Sequence, residues 1–127
     1  PARKVAVART DDAGANWQDL PNLPLDNPDA SVVGLGLKPD LMVLAHNPST
    51  TGREKLALSA SADGQSWRSV AMLAEGAVGS EYSYPAMAWS DGNLWVSYTD
   101  QRQRIAWQRW HLNGVVDASA AGAGAKP

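Results

Sequence analysis

The 127-residue chain contains no cysteine and no phenylalanine, and it has no long apolar run. Without cysteine it can form neither a disulfide framework nor a thiolate metal site. A membrane-spanning helix needs about 20 consecutive apolar residues, so the sequence predicts no membrane span. The 11 basic and 13 acidic residues are scattered along the chain and give a net charge of −2. This distribution lacks the basic stripe that nucleic acid or an anionic membrane requires, so we expect neither as a partner.

Short apolar runs of strand length fill the first 112 positions and are separated by turn residues. No segment combines a 3.6-residue apolar period with helix caps, so the predicted fold class is all-β. We predict one domain over residues 1–114, followed by a small-residue, low-complexity tail over residues 115–127 that should be disordered. The localisation is left open. The predicted strands are Lys4–Arg9, Ser31–Leu37, Leu41–His46, Lys55–Ala60, Ser69–Ala74, Tyr84–Trp89, Leu94–Tyr98 and Arg104–Leu112.

Two similar turn motifs lie 50 residues apart. The first has the pattern Ser/Thr-x-Asp-x-Gly-x-x-Trp, and its fixed positions are Thr10, Asp12, Gly14 and Trp17. The second is one residue shorter, with Ser61, Asp63, Gly64 and Trp67. Each follows an alternating apolar segment. A period near 50 residues with several strands per unit is the size of a β-propeller blade.

The chemistry of this motif, the Asp box, is structural rather than catalytic. A short acidic side chain accepts backbone N–H bonds within a turn, and glycine adopts a positive φ. We expect both tryptophans, Trp17 and Trp67, to be buried against their hairpins. Because the second turn is one residue short, we expect it to depend less on Asp63 than the first does on Asp12.

At these motifs the chain resembles the bacterial sialidase/neuraminidase superfamily with BNR (Asp-box) repeats, and the predicted-neuraminidase branch in particular. The resemblance covers most of residues 1–112, including RKVAVARTDDAGANW, LAHNPSTTGREKLALSASADGQSW and EYSYPAMAWSDGNLWVSYTD. It implies part of a six-bladed β-propeller, about two and a quarter blades of four-stranded antiparallel sheets. The chain would be the C-terminal portion of that propeller.

The resemblance also implies a site. Sialidases bind a substrate carboxylate with three arginines and attack the anomeric carbon with a tyrosine, helped by a glutamate and an acid/base aspartate. On this sequence the third arginine matches Arg53 and the catalytic tyrosine matches Tyr82. Tyr84 is expected on the same strand face as Tyr82, and Asn27 and Asp29 at the pocket rim, as further substrate-binding residues. A planar guanidinium suits bidentate binding of a carboxylate, and a neutral phenol needs a base beside it.

The family's other two arginines, its glutamate and its acid/base aspartate have no match in this sequence. Glu81 precedes Tyr82 directly, and neighbours on a strand point to opposite faces, so it is a poor substitute for the glutamate. We therefore predict a sialidase-like exo-glycosidase of a terminal anionic sugar, with the chain alone inactive. The alternatives are a non-catalytic carbohydrate-binding or scaffold propeller, and a small module that closes a propeller by oligomerising.

The expected partners are a glycan substrate and either the remainder of the propeller or a second copy of the chain. We expect no cofactor and no metal, because His46 and His111 stand singly without a partner at ligand spacing. Purely structural roles for these site residues also stay open. Arg53 could be a solvated strand-end arginine, Tyr82 an ordinary packed tyrosine, and Asn27 and Asp29 simple turn formers.

Overall fold

The structure, a computed structural model, describes residues 2–111, 113 and 115. These residues form nine strands, all paired antiparallel, in three sheets. Sheet 1 contains β1 and β2, sheet 2 contains β3 to β6, and sheet 3 contains β7 to β9. There is no helix between residues 2 and 111, so the predicted all-β class is confirmed. The strands are β1 (Val7–Arg9), β2 (Gln18–Leu20), β3 (Val33–Lys38), β4 (Leu41–His46), β5 (Lys55–Ser61), β6 (Arg68–Glu75), β7 (Tyr82–Ser90), β8 (Asn93–Asp100) and β9 (Arg104–His111).

Each of the eight predicted strands overlaps a strand of the structure, and the largest difference lies in the first one. Only Val7–Arg9 pairs as β1, because Val5 exchanges backbone hydrogen bonds with a loop instead. The Val5 N–H donates to the Leu25 carbonyl (3.0 Å), and the Leu23 N–H donates to the Val5 carbonyl (2.9 Å). β2 is additional to the predicted runs. Its sequence, Gln-Asp-Leu, has too little apolar content to be recognised by pattern.

Both faces of sheet 2 are covered by other parts of the molecule. One face packs against sheet 3 and forms the apolar core, and sheet 3 contributes Leu94, Val96, Tyr98 and Trp110 to that core. The sheet 2 side chains of the core are Leu41, Val43, Ala45, Leu56, Leu58, Ala60, Val70 and Leu73. The opposite face of sheet 2 includes His46 and Ser59 and is covered by the segment that follows sheet 1. Sheets 2 and 3 therefore pack face to face across the apolar core.

Polar contacts join sheet 3 to sheet 2 around the core. Gln108 Nε2 donates to the Leu73 carbonyl (2.6 Å), and the fully buried Trp110 donates from Nε1 to Gln108 Oε1 (3.2 Å). Val115, which we assigned to the tail, is also buried in the core, and its carbonyl accepts from Arg68 Nη2 (3.0 Å). The rest of the predicted tail, residues 116–127, lies outside the described residues.

The antiparallel topology sorts the connections into two ends. The box end carries both Asp-box turns and the Asp91-Gly92 turn between β7 and β8. Both residues of that turn have positive φ (52° and 72°), as the Asp-Gly pair predicts for a two-residue hairpin. The opposite end, which we call the site end, carries residues 21–32, 47–54, 76–81 and 101–103. All five predicted catalytic or substrate-binding residues lie in or next to the site end.

Candidate functional site

The first Asp box is a closed hydrogen-bonded turn. Asp12 accepts from the backbone N–H of Asn16 (2.9 Å), from its side-chain amide (2.7 Å) and from the Thr10 hydroxyl (2.8 Å). The Thr10 hydroxyl oxygen accepts from the backbone N–H groups of Asp12 (3.3 Å) and Gly14 (3.0 Å). Hydrogen bonds from Asn16, and then from Thr10, lower the pKa of Asp12 from 3.8 to about 2. Gly14 has the positive φ that this turn requires (93°).

The second Asp box repeats the arrangement with one residue fewer. Asp63 Oδ1 accepts from the backbone N–H groups of Ser66 (2.7 Å) and Gln65 (2.8 Å), and from the Ser61 hydroxyl (3.0 Å). These bonds, with Ser66 contributing most, lower the pKa of Asp63 to about 2. Gly64 again has a positive φ (77°). Because Asp63 holds two backbone N–H groups and Asp12 holds one, the shorter turn depends on its aspartate at least as much as the longer one. Our expectation had the opposite order.

The two box tryptophans differ in burial, which corrects the prediction that both are buried. Each donates from Nε1 to the carbonyl of the box glycine, Trp17 to Gly14 (3.1 Å) and Trp67 to Gly64 (3.2 Å). Trp17 is nevertheless 65% exposed, whereas Trp67 is half-buried. The reason lies in the neighbours. Trp67 borders a cavity that Leu25 also lines, whereas Trp17 lies on a sheet of only two strands.

At the site end, Arg53 belongs to a charged cluster that spans sheets 2 and 3. Its Nη1 lies 3.4 Å from Glu81 Oε1, and its guanidinium carbon lies 5.7 Å from the centre of the Tyr84 ring. Arg102 donates from Nε to Glu81 Oε2 (2.7 Å), and the Ser83 hydroxyl donates to Oε1 (2.9 Å). The hydrogen bond from Arg102, followed by that from Ser83, lowers the pKa of Glu81, which stays ionised at neutral pH. We call Arg53, Glu81, Tyr84 and Arg102 the Arg53 cluster.

Tyr82 and Tyr84 lie in different surroundings, which corrects the expectation that they share a strand face. A β-bulge interrupts the pairing of β7 with β8 between Ser83 and Ala86, and Tyr84 within it has a positive φ (52°). The Tyr82 ring packs against the core, edge-on to Tyr98 with ring centres 6.4 Å apart. Tyr84 is 61% exposed and lies over Arg53. The structure therefore places the ring of Tyr84, rather than that of Tyr82, beside the Arg53 guanidinium, whereas Tyr82 contacts Arg53 through the backbone, where its N–H donates to the Arg53 carbonyl (2.9 Å).

Asn27 and Asp29 stabilise their own loop. Asn27 is buried, and its amide both donates to the Ala30 carbonyl (3.0 Å) and accepts from the Ala30 N–H (2.6 Å). Asp29 has a positive φ (60°) and pairs with Arg3 at 2.6 Å. Both residues are thus engaged in shaping the connection between sheet 1 and sheet 2.

Two neighbouring polar residues are buried at the end of β4. His46 donates from Nδ1 to the Asp26 carbonyl (3.2 Å) and accepts at Nε2 from the Ser59 hydroxyl (3.0 Å), since a carbonyl can only accept. Burial lowers the pKa of His46. Asn47 is fully buried, and its Nδ2 donates to the carbonyls of Lys55 (2.7 Å) and Tyr82 (2.8 Å). Asn47 therefore joins sheet 2 to the first residue of β7, directly beside the Arg53 cluster.

Sequence reasoning missed Asn47, the partnership of Glu81 with Arg102, and the bulge. Pro85 inside a predicted strand was a usable signal for the bulge, because proline is confined to edge strands and bulges. The Glu81–Arg102 pair spans 21 positions and leaves no local pattern. Over the residues that the structure describes, no group of His, Asp and Glu side chains is placed to hold a metal ion. The same residues contain no helix that is long and apolar enough to cross a membrane.

Comparison with known proteins gives one family. A family model described as a BNR repeat-like domain matches residues 2–96, which is 95 of the 127 residues. The matched stretch includes both Asp boxes, Arg53 and the two tyrosines at the start of β7. No curated protein and no solved structure matches the chain.

Proposed function

The chain belongs to the family of BNR repeat-like domains, and from this premise we propose that it is the C-terminal portion of a sialidase-type exo-glycosidase. The complete protein would be a six-bladed β-propeller that cleaves a terminal anionic sugar. Nine strands in sheets of two, four and three, with Asp boxes at one end, support the propeller part of this proposal.

The observation that supports the proposal is that the Arg53 guanidinium is partly exposed and uses few of its hydrogen-bond donors. Its side chain is 29% exposed, with Glu81 at one edge and the Tyr84 ring over one face. A guanidinium has five N–H donors, and the described residues engage one of them, at Nη1. The remaining donors can bind a ligand carboxylate in the bidentate geometry that arginine favours. A carboxylate-bearing sugar therefore fits this position better than a neutral one.

Tyr84 is the tyrosine that we assign to the ligand. It is exposed beside Arg53, whereas the Tyr82 ring is packed against the core. In the proposed reaction the phenol loses its proton to a base, and its oxygen attacks the anomeric carbon while the aglycone leaves with a proton from an acid. Water then hydrolyses the glycosyl–tyrosine bond. Tyr82, our first assignment from sequence, would instead support the strand from which Tyr84 projects.

Glu81, the carboxyl group of the Arg53 cluster, cannot serve as the acid that this reaction needs. Glu81 stays ionised at neutral pH because its pKa is lowered, so it cannot donate a proton. Its two oxygens already accept from Arg53, Ser83 and Arg102. We therefore propose that another part of the propeller supplies the acid and base, and that the 127-residue chain by itself binds the sugar without cleaving it.

Because both oxygens of Glu81 already accept hydrogen bonds, a second candidate function is also favoured. This candidate is a carbohydrate-binding propeller without catalytic activity. Both candidates predict that the Arg53 cluster binds an anionic sugar. They differ in hydrolysis by the complete protein, which only the first predicts.

Titration calorimetry of the chain with glucuronate and with glucose tests the shared prediction, because these sugars differ only in the carboxylate. Glucuronate should bind more tightly, and Arg53→Lys should weaken its binding by about tenfold or more, since lysine cannot bind bidentately. Tyr84→Ala should also weaken it. Arg9→Lys, at the box end, is the matched control and should change nothing. Equal binding of the two sugars, or an equal effect of Arg9→Lys, would refute the proposal.

A further inference from the structure

The turn between β8 and β9, at the site end, has an unfavourable backbone conformation. Gln101 and Arg102 both have a φ of 56°. The Gln103 N–H donates to the Asp100 carbonyl (3.0 Å), which closes a turn with positive φ at both central positions. Such turns favour Asn-Gly or Asp-Gly, and the hairpin at the box end of sheet 3 has Asp91-Gly92 there. Two longer side chains in this conformation persist only where the surroundings hold them, and such positions concentrate at functional sites.

The contacts that hold this turn are made with Glu81. The Gln101 N–H donates to the Glu81 carbonyl (2.8 Å), and the Glu81 N–H donates to Gln101 Oε1 (3.1 Å). Arg102 then donates from Nε to Glu81 Oε2 (2.7 Å). The Arg102 side chain is 74% exposed, and an ion pair with so exposed a partner contributes little to stability. The turn therefore directs Arg102 at Glu81 without a matching gain in stability, which points to a role at the site.

The Glu81 carboxylate is shared unequally between two guanidinium groups. Its Oε2 accepts from Arg102 at 2.7 Å, whereas Arg53 Nη1 lies 3.4 Å from Oε1. The Ser83 hydroxyl also donates to Oε1 (2.9 Å). Charge-assisted N–H···O bonds are about 2.7–2.9 Å long, so the bond to Arg102 is fully formed and the one to Arg53 is weak. Arg102 and Ser83 together keep this carboxylate from pairing closely with Arg53.

The charges of Arg53, Glu81 and Arg102 show what depends on this sharing. Two guanidinium groups and one carboxylate leave one positive charge, which an anionic ligand can neutralise. Without Arg102 the remaining pair would be neutral, and Glu81 could turn to Arg53 in the bidentate geometry that arginine favours. A ligand carboxylate would then compete with a carboxylate of the chain itself, which has the high effective concentration of a tethered group.

We propose that Arg102 is a positioning residue of the sugar site, which binds Glu81 and thereby leaves the Arg53 guanidinium available to the ligand carboxylate. This inference rests on the proposed function, in which Arg53 binds an anionic sugar. Arg102 acts through Glu81 and not by touching the sugar. Its effect on binding should therefore disappear when Glu81 carries no charge.

A double-mutant cycle tests this dependence on the 127-residue chain, with glucuronate binding measured by titration calorimetry. Arg102→Gln should weaken binding by about tenfold or more, because Glu81 then occupies Arg53. Glu81→Gln should bind at least as tightly as the unaltered chain. The double variant should bind like Glu81→Gln alone. If Arg102 touched the sugar directly, Arg102→Gln would weaken binding by the same factor in both backgrounds, and the inference would be wrong.

Arg104→Gln is the charge-matched control for this cycle. Arg104 is 76% exposed on the same hairpin, and it pairs with Asp100 instead of Glu81. Its replacement removes one positive charge from the same region and should leave glucuronate affinity nearly unchanged. A loss as large as that of Arg102→Gln would show a general effect of charge and would overturn the inference. Circular dichroism of every variant checks that the fold is intact.

Arginine side-chain NMR without ligand gives a readout that a purely structural role would not change. Arg102→Gln should shift the Arg53 Nε–H resonance as Glu81 moves onto it, and adding Glu81→Gln should abolish that shift. An Arg53 resonance that Arg102→Gln leaves in place would refute the inference. If the unaltered chain prefers glucuronate to glucose and Arg102→Gln keeps that preference, only the inference fails. If the unaltered chain shows no preference, the proposed function fails and the inference fails with it.

Discussion

Replacing Asn47 with alanine should destabilise the fold by about 2–5 kcal/mol. The Asn47 side chain is fully buried and donates to two carbonyls, those of Lys55 and Tyr82. Alanine removes both donors and leaves buried acceptors without them, at about 1–3 kcal/mol for each unsatisfied group. Domains of this size have total stabilities of about 5–15 kcal/mol, so the change would remove a large fraction.

Urea unfolding followed by tryptophan fluorescence measures this loss. With a slope of about 1–2 kcal/mol per molar urea, the midpoint should fall by roughly 1–5 M. Asn22→Ala is the matched control, because Asn22 is an exposed asparagine in the connection between β2 and β3. Its effect should stay within about 0.5 kcal/mol. If Asn47→Ala changed stability no more than Asn22→Ala, the assignment of Asn47 as the link between sheets 2 and 3 would be wrong.

Asn47→Asp provides a second readout of the same contact. A carboxylate at this position would face two carbonyl oxygens without a proton to donate, so the folded protein should raise its pKa. A group with a raised folded-state pKa favours folding at low pH and loses that contribution as pH rises through the folded-state value. The deficit of Asn47→Asp relative to the unaltered protein should therefore shrink on acidification. A deficit that does not vary with pH would contradict the geometry.

Further predictions concern the two Asp boxes and the activity of the isolated chain. Asp63→Ala should lower the urea midpoint more than Asp12→Ala, because Asp63 holds two backbone N–H groups and Asp12 holds one; the reverse order would contradict this. The pKa of each carboxyl is about 2 instead of 3.8, so the stability they contribute is present above about pH 4 and lost as pH falls toward 2. Melts of the two alanine variants should show a weaker decline over that range. The 127-residue chain should not hydrolyse a fluorogenic sialoside above background, and turnover that disappears in Tyr84→Phe would show that the chain has its own acid and base.

The parts of the fold that could be predicted from sequence are the locally determined ones. The Asp boxes and the Asp91-Gly92 hairpin are closed by hydrogen bonds or positive φ values within a few residues, so their short patterns identify them. The exposure of Trp17 was not predictable in this way. The indole bond to Gly14 is local, but burial depends on which sheet lies opposite, and that is decided by the tertiary structure.

The candidate site was predicted only as far as its residue types. Arg53 and the tyrosines were found by resemblance, but the bulge that exposes Tyr84 and leaves Tyr82 packed depends on the pairing of β7 with β8. The contacts of Glu81 with Arg53 and Arg102 join three different loops of the site end. Such contacts arise only when the sheets are stacked, so a one-dimensional pattern cannot reveal them.

We propose that Arg53, beneath the Tyr84 ring, binds the carboxylate of an anionic sugar. Arginine side-chain NMR tests it most directly, by titrating the labelled chain with N-acetylneuraminate and, in parallel, with its methyl ester. We expect that the acid shifts the Arg53 Nε–H resonance, that the ester has little effect, and that Arg9 at the box end is unaffected by both. Equal shifts with acid and ester, or no shift at Arg53 while Arg9 responds, would contradict it.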